Sequence, residues 1–175
     1  MVTSIRKQKA FSILELVVAI AVIGTLLTVA IPQFIGRSAA AERQRFVEEL
    51  NLMLNAAYIN AIDTHTSHRI IYDFKQSLFS VEHEVKTGEY ESLGSALAHA
   101  TCDVPVGYIF EQFIINNKDE MATSSERSTA WFFLSENGVP QEVRLTVALD
   151  EGKGKMWLVL NPFLVQFIAY DTQPS

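Results

Sequence analysis

The sequence predicts an α+β protein in which one long N-terminal helix, membrane-spanning in its first half and amphipathic in its second, packs on a C-terminal antiparallel β-sheet domain. Three observations predict it. An apolar run extends from Phe11 to Ile31 behind the basic residues Arg6, Lys7 and Lys9. A helical apolar period follows through Phe46, Leu50, Met53, Leu54, Ala57 and Ala61. Beyond it, short β-branched and aromatic segments alternate with Gly, Asn and Pro turns.

The run from Phe11 to Ile31 has the length a bilayer-spanning helix needs and exceeds an average buried core helix. The basic residues before it have no acidic residue among them, so the positive-inside rule leaves the N-terminus cytoplasmic and sends the rest across the membrane. A secretory signal peptide fits less well. The apolar segment overshoots a signal core, and no small-x-small cleavage site follows Ile31 before the helical pattern resumes. Inside the run stands Glu15, and an ionisable group at that depth is expensive and usually paired and functional.

From Phe11 to about Asp63 the helix would be roughly 80 Å long at ~1.5 Å per residue. Its second half places Arg45, Glu48, Glu49, Asn51 and Asn55 largely away from the apolar stripe, as packing on a domain demands. Pro32 lacks a backbone donor and crowds the preceding turn, so it predicts a bend. Gly24, Ala19, Ala21 and Ala30 would allow close approach of neighbouring helices in lipid.

The β region reads in order. Arg69 to Phe74 and Leu78 to His83 suit strands joined by the Lys75-Gln76 turn. Glu84 to Thr101 is polar, with Gly88 and Gly94, and reads as a loop with a helical turn around Ser95 to Ala100. Tyr108 to Ile115 is a strand, and the charged, Ser-rich stretch from Asn116 to Ser128 an exposed loop. Strands are expected at Thr129 to Leu134, Val143 to Leu149, Met156 to Leu160 and Phe163 to Tyr170, separated by Ser135-Glu136-Asn137-Gly138, Glu151-Gly152-Lys153-Gly154 and Asn161-Pro162. Repetition of this kind predicts an antiparallel meander.

Composition excludes some functions. The net charge is −6 at pH 7, and the most basic stretch lies ahead of the apolar run, which argues against nonspecific nucleic-acid binding. Cys102 is the only cysteine, so no intramolecular disulfide can form. It reads as a small buried apolar residue. His65 and His68 stand close to the helix end without third and fourth ligands, and read as a solvated helix end. Asp119-Glu120 and Asp150-Glu151 reproduce no calcium loop and read as surface turns. No catalytic residue, metal or cofactor is therefore expected.

The run Lys9-Ala10-Phe11-Ser12-Ile13-Leu14-Glu15-Leu16, continued by Val22-Ile23-Gly24 and Ala30-Ile31-Pro32-Gln33-Phe34, resembles the N-terminal signal of type IV pilins and type II secretion pseudopilins. The resemblance implies cleavage between Ala10 and Phe11 by a membrane prepilin peptidase, followed by N-methylation of Phe11. It implies that Glu15 guides filament assembly by meeting the α-amino group of Phe11 in an adjacent subunit. Ala10 departs from the family, which usually has glycine there. By its order of strands and its Asn-Gly turn, the segment from Trp131 to Tyr170 is similar to the C-terminal domain of H-type minor pseudopilins and related minor pilins. The paired C-terminal cysteines of many adhesive pilins are absent.

These resemblances imply a non-enzymatic subunit of a periplasmic, pilus-like filament for protein export, anchored in the bacterial inner membrane. Its partners would be the prepilin peptidase, other pseudopilins or pilins, the inner-membrane assembly platform and membrane lipid, with no nucleic acid. The expected organisation is a cleaved leader (1–10), a transmembrane and assembly helix (11–31), its amphipathic continuation (32–64) and a periplasmic β-rich domain (65–175). The alternatives are a minor pilin of a type IV pilus or DNA-uptake filament and, from another class, an uncleaved, signal-anchored periplasmic binding module.

Overall fold

The computed structural model describes residues 13–121, 128–149 and 154–174, with the side chains of 26–38 outside the description. The helix α1 covers Ile13–Thr64. It passes through both compact units of the chain, Met1–Ala41 and Glu42–Ser175.

In the first unit every described side chain is exposed, including Ile13, Leu14, Leu16, Val17 and Val18. An apolar surface of this kind is a liability in water and suits lipid or a neighbouring apolar helix. Thr25 satisfies its hydroxyl by donating to the Val22 carbonyl at 2.8 Å. Among the described residues no helix is long and apolar enough to cross a membrane. The segment from Phe11 to Ile31 includes residues outside that description.

The second unit holds the last turns of α1 and two five-stranded antiparallel sheets. All six positions of the expected helical stripe, Phe46, Leu50, Met53, Leu54, Ala57 and Ala61, are buried. The first sheet contains β1 (His68–Asp73), β2 (Leu78–Lys86), β3 (Glu89–Ser92), β4 (Thr101–Asp103) and β7 (Thr129–Leu134). Its order is β3-β2-β1-β7, with β4 sharing the outer edge of β2. The second contains β5 (Tyr108–Ile115), β6 (Lys118–Asp119), β8 (Val143–Leu149), β9 (Gly154–Asn161) and β10 (Gln166–Tyr170) in the order β10-β9-β8-β5-β6. The core joins the helix stripe to Ile70, Phe79, Phe113, Phe132, Leu145 and Leu158. Tyr72 lies at its centre, with ring centroids 4.6 Å from Phe79 and 4.5 Å from Phe110.

Two local devices shape the second sheet. A bulge between Phe110 and Gln112 shifts the alternation of β5, so that both Phe110 and Phe113 face inward. Asn51 of α1 fastens β10: its Oδ1 accepts from the Phe167 amide at 2.7 Å, and its Nδ2 donates to the Phe167 carbonyl at 3.0 Å. An outward-pointing backbone pair of an edge strand is thus satisfied by a helix side chain.

Three expectations need correction. The stretch from Glu84 to Thr101 is not a loop alone, because β2 continues to Lys86, turns at Gly88 and returns as β3, with a single 3-10 turn at Gly94–Ala96. Cross-strand pairing overrides its polar composition, which suits strands exposed on one face. The stretch from Asn116 to Ser128 contains the short β6, while residues 122–127 lie outside the described residues. The C-terminal third is not one meander. β8, β9 and β10 are consecutive neighbours, but β7 leaves them and pairs with β1.

Candidate functional site

Of the residues singled out at the N-terminus, Ala10 and Phe11 lie outside the described residues. Glu15 sits in the first turn of α1, fully within the exposed stretch. An acidic group there complements the partial positive charge of a helix N-terminus. α1 runs through position 32 without interruption, and the Pro32 side chain is outside the description.

The two histidines part company. His65 takes φ 52°, which stops α1 at Thr64, so the pair does not form a helical face. His68 opens β1 and is completely buried, contrary to the expected solvated helix end. The physical reason is the sharp turn at His65, which carries His68 onto the inward face beside Ile70 and Tyr72. Its Nδ1 donates to the Thr66 carbonyl at 2.9 Å, since a carbonyl can only accept. Its Nε2 lies 2.8 Å from Asn60 Oδ1, an acceptor, so a neutral ring that donates through Nδ1 is satisfied there only with the Asn60 amide turned over to present its nitrogen.

Burial lowers the His68 pKa below 6.5, with the neighbouring His83 adding to the effect against the Thr66 hydrogen bond. The folded state therefore prefers neutral His68, and the unfolded chain binds the proton more readily. His83 stands opposite it on β2 at 6.3 Å between ring centroids, and among the described residues its buried Nδ1 has no hydrogen-bond partner. Stability tied to His68 is present above the ordinary pKa and is lost as pH falls through about 6.5. In thermal melts, the midpoint should fall between neutral and mildly acid pH, and His68→Gln should flatten that slope.

The other candidates are structural. Cys102 is buried and its thiol is pushed up to about 12, first by burial and then by Glu49 and Asp103, so it is a poor nucleophile. Asp119 Oδ1 accepts the amides of Phe113 and Met121 at 3.3 and 2.9 Å, and Glu120 pairs with Lys118 at 2.9 Å. These carboxylates close the β5–β6 turn. Asp150 and Glu151 lie outside the described residues. Among the described residues no cluster of three or more His, Cys, Asp or Glu side chains could hold a metal ion.

Sequence reasoning missed the outer face of the first sheet. The Arg69 guanidinium donates to Glu82 through Nε at 3.0 Å and lies 4.4 Å over the Tyr90 ring and 5.4 Å from that of Trp131. Beside it are two grooves that share Phe133 and Gln141. One, of about 260 Å³, also touches Ile115, Lys118, Glu120 and Trp131; the other, of about 350 Å³, also touches Tyr90, Val139 and Pro140. Alternation in β1 and β7 placed these side chains outward, but only the pairing of β1 with β7 brings them together.

Residues 5–31 match the family described as the prokaryotic N-terminal methylation motif. The chain is 32% identical over 59 residues to type II secretion system core protein G of Escherichia coli (strain K12), covering 34% of this chain and 41% of that protein. The chain thus spans less than half the length of that relative. Its fold is similar to that of the minor pseudopilin EpsH from the type 2 secretion system of Vibrio cholerae, with a TM-score of 0.55 over 77% of this chain and 99% of the other at 9% identity. The chain joins a prepilin-type methylation motif to a pseudopilin-like fold.

Proposed function

We propose that this chain, with a prepilin-type motif on a pseudopilin-like fold, is a minor pseudopilin of a type II secretion system. It would be a structural subunit of a periplasmic, pilus-like filament that serves protein export, and not an enzyme. The observation that carries the reading is the combination: a methylation motif at residues 5–31 in the same chain as a fold that matches 99% of the solved EpsH chain over 77% of this one. A rival within the family is a major pseudopilin, whose compact pattern does not fit the acidic stretch from Glu84 to Thr101, which adds β3 and the start of β4 to the edge of β2.

In this reading the helix from Phe11 to Ile31 holds the subunit in the inner membrane with its N-terminus cytoplasmic and its β domain periplasmic. The prepilin peptidase removes residues 1–10 and methylates Phe11. Other pseudopilins receive the helix, the assembly platform extracts it, and Glu15 sets its register through the neighbouring amino group. Pro32 supplies a bend. Lipid exposure suits the apolar side chains described between Ile13 and Thr25.

The deciding experiment is the intact mass of the membrane-extracted protein made with the peptidase present. The mature chain should begin at methylated Phe11. A chain still carrying Met1 to Ala10 would instead be the uncleaved, signal-anchored module. Ala10→Gly should be processed equally well or faster, because the smaller residue restores the usual fit at the cut.

A further inference from the structure

Asn137 is the one asparagine of the sequence that glycine follows; the others precede Leu52, Ala56, Ala61, Asn117, Lys118 and Pro162. In an unfolded chain that step is chemically labile. Glycine has no Cβ to screen its amide nitrogen or restrict its rotation, so the nitrogen readily reaches the side-chain carbonyl before it. Base removes the Gly138 amide proton, the nitrogen bonds to Asn137 Cγ, and the side-chain nitrogen leaves as ammonia. Water then opens the cyclic imide. Opening at the side-chain carbonyl gives aspartate, and opening at the main-chain carbonyl gives an isoaspartyl link that lengthens the backbone by a methylene. The balance is water in and ammonia out, with no change of oxidation state.

In the fold the attacking atom is engaged. The Gly138 amide donates to the Ser135 carbonyl at 2.8 Å. Ser135 also ties the turn to its far side: its amide donates to the Val139 carbonyl at 3.0 Å, and its Oγ accepts the Val139 amide at 3.0 Å. Leu134 and Pro140 form a bridge at the base of the turn. Gly138 is buried with φ 76°, so close to α1 that a Cβ there would collide with the Tyr58 ring. For the imide to close, the Gly138 nitrogen must give up its hydrogen bond and the Asn137–Gly138 peptide must rotate, a movement the packed Tyr58 ring opposes. Asn137 itself is exposed, so water and base reach its side chain. Backbone freedom, and not access, therefore limits the reaction.

We infer that Asn137–Gly138 is a fold-gated modification site, closed to deamidation while its turn rests on α1 and reactive once the turn lifts. Imide formation is slow beside local opening, so its rate follows the equilibrium population of the open turn. The isoaspartyl product cannot restore the original turn. Its added methylene displaces Gly138 from the place beside Tyr58 that only glycine fits, and either product puts a new carboxylate at the tip. A chain whose turn has lifted is thereby marked irreversibly. The inference does not depend on assembly into a filament.

Peptide mapping by mass spectrometry tests this on the full chain in detergent micelles at mildly alkaline pH, reading amide-to-acid conversion at Asn137 over time. The native chain should convert at least about tenfold more slowly than the same chain unfolded in urea. Tyr58→Ala removes the ring beneath the turn, and Ser135→Ala removes the acceptor of the Val139 amide. Each should convert faster than the parent when native and at the parent's rate in urea, which separates the gate from the intrinsic chemistry. Ser135→Ala decides alone if Tyr58→Ala fails to fold. A native rate close to the urea rate would overturn the inference. So would an Asn137 that stays intact in urea, or a folded variant that converts no faster than the parent.

Discussion

Glu15→Ala is expected to enter the membrane and be processed at Phe11 as well as the parent chain, yet to be lost from the filament. Removing a carboxylate makes the apolar run from Phe11 to Ile31 more apolar, so insertion cannot suffer. The proposed cut precedes Phe11, and Glu15 lies beyond it in the first turn of α1. In the proposed filament assembly is different, because each subunit would bring the α-amino group of Phe11 into a low-dielectric bundle where the neighbouring Glu15 would neutralise it. Breaking a buried pair by removing one partner costs about 3–5 kcal/mol, enough to remove most incorporation at equilibrium. Glu15→Gln should be intermediate, since it keeps an acceptor without the charge. Crosslinking of cysteine-tagged subunits in membranes, with cleavage followed in parallel, separates the steps. Wild-type crosslinking by Glu15→Ala would reduce the residue to a passenger.

Gly138→Ala should destabilise the β domain by about 3 kcal/mol, combining a left-handed backbone with an overfilled contact. Gly138 has φ 76°, and a Cβ there would lie 2.4 and 2.6 Å from ring carbons of Tyr58 and 3.3 Å from Ile62 Cδ1. Both neighbours belong to α1, so the turn after β7 is pressed against the helix. Gly88 has the similar φ of 81° but nothing within 4 Å, so Gly88→Ala should show only the backbone cost of about 1–2 kcal/mol. Urea unfolding of the full chain, followed through Trp131 and Trp157, measures both. Tyr58→Ala should recover part of the Gly138→Ala loss. If the two glycine variants fell by the same amount, the contact with Tyr58 would have no energetic weight.

Much of the architecture was legible in the chain. The apolar period from Phe46 to Ala61 identified the inward face of α1 residue by residue, and β5, β7 and β8 end where sequence alone put them. The methylation motif was readable because its apolar run, basic leader and lone Glu15 are contiguous. Periodicity works here because burial repeats with the geometry of the local backbone.

Only the tertiary structure decided which strand pairs with which. Leu134 and Val143 are joined by an Asn-Gly turn that looks like a hairpin, yet β7 pairs with β1 and β8 with β5 and β9. A strand's sequence states which face is apolar but not its partner, since many apolar strands offer equivalent ladders. The choice rests on contacts distant along the chain: Gly138 against Tyr58, Gln141 folded back on Phe133, Asn51 bound to Phe167 and His68 enclosed near Asn60.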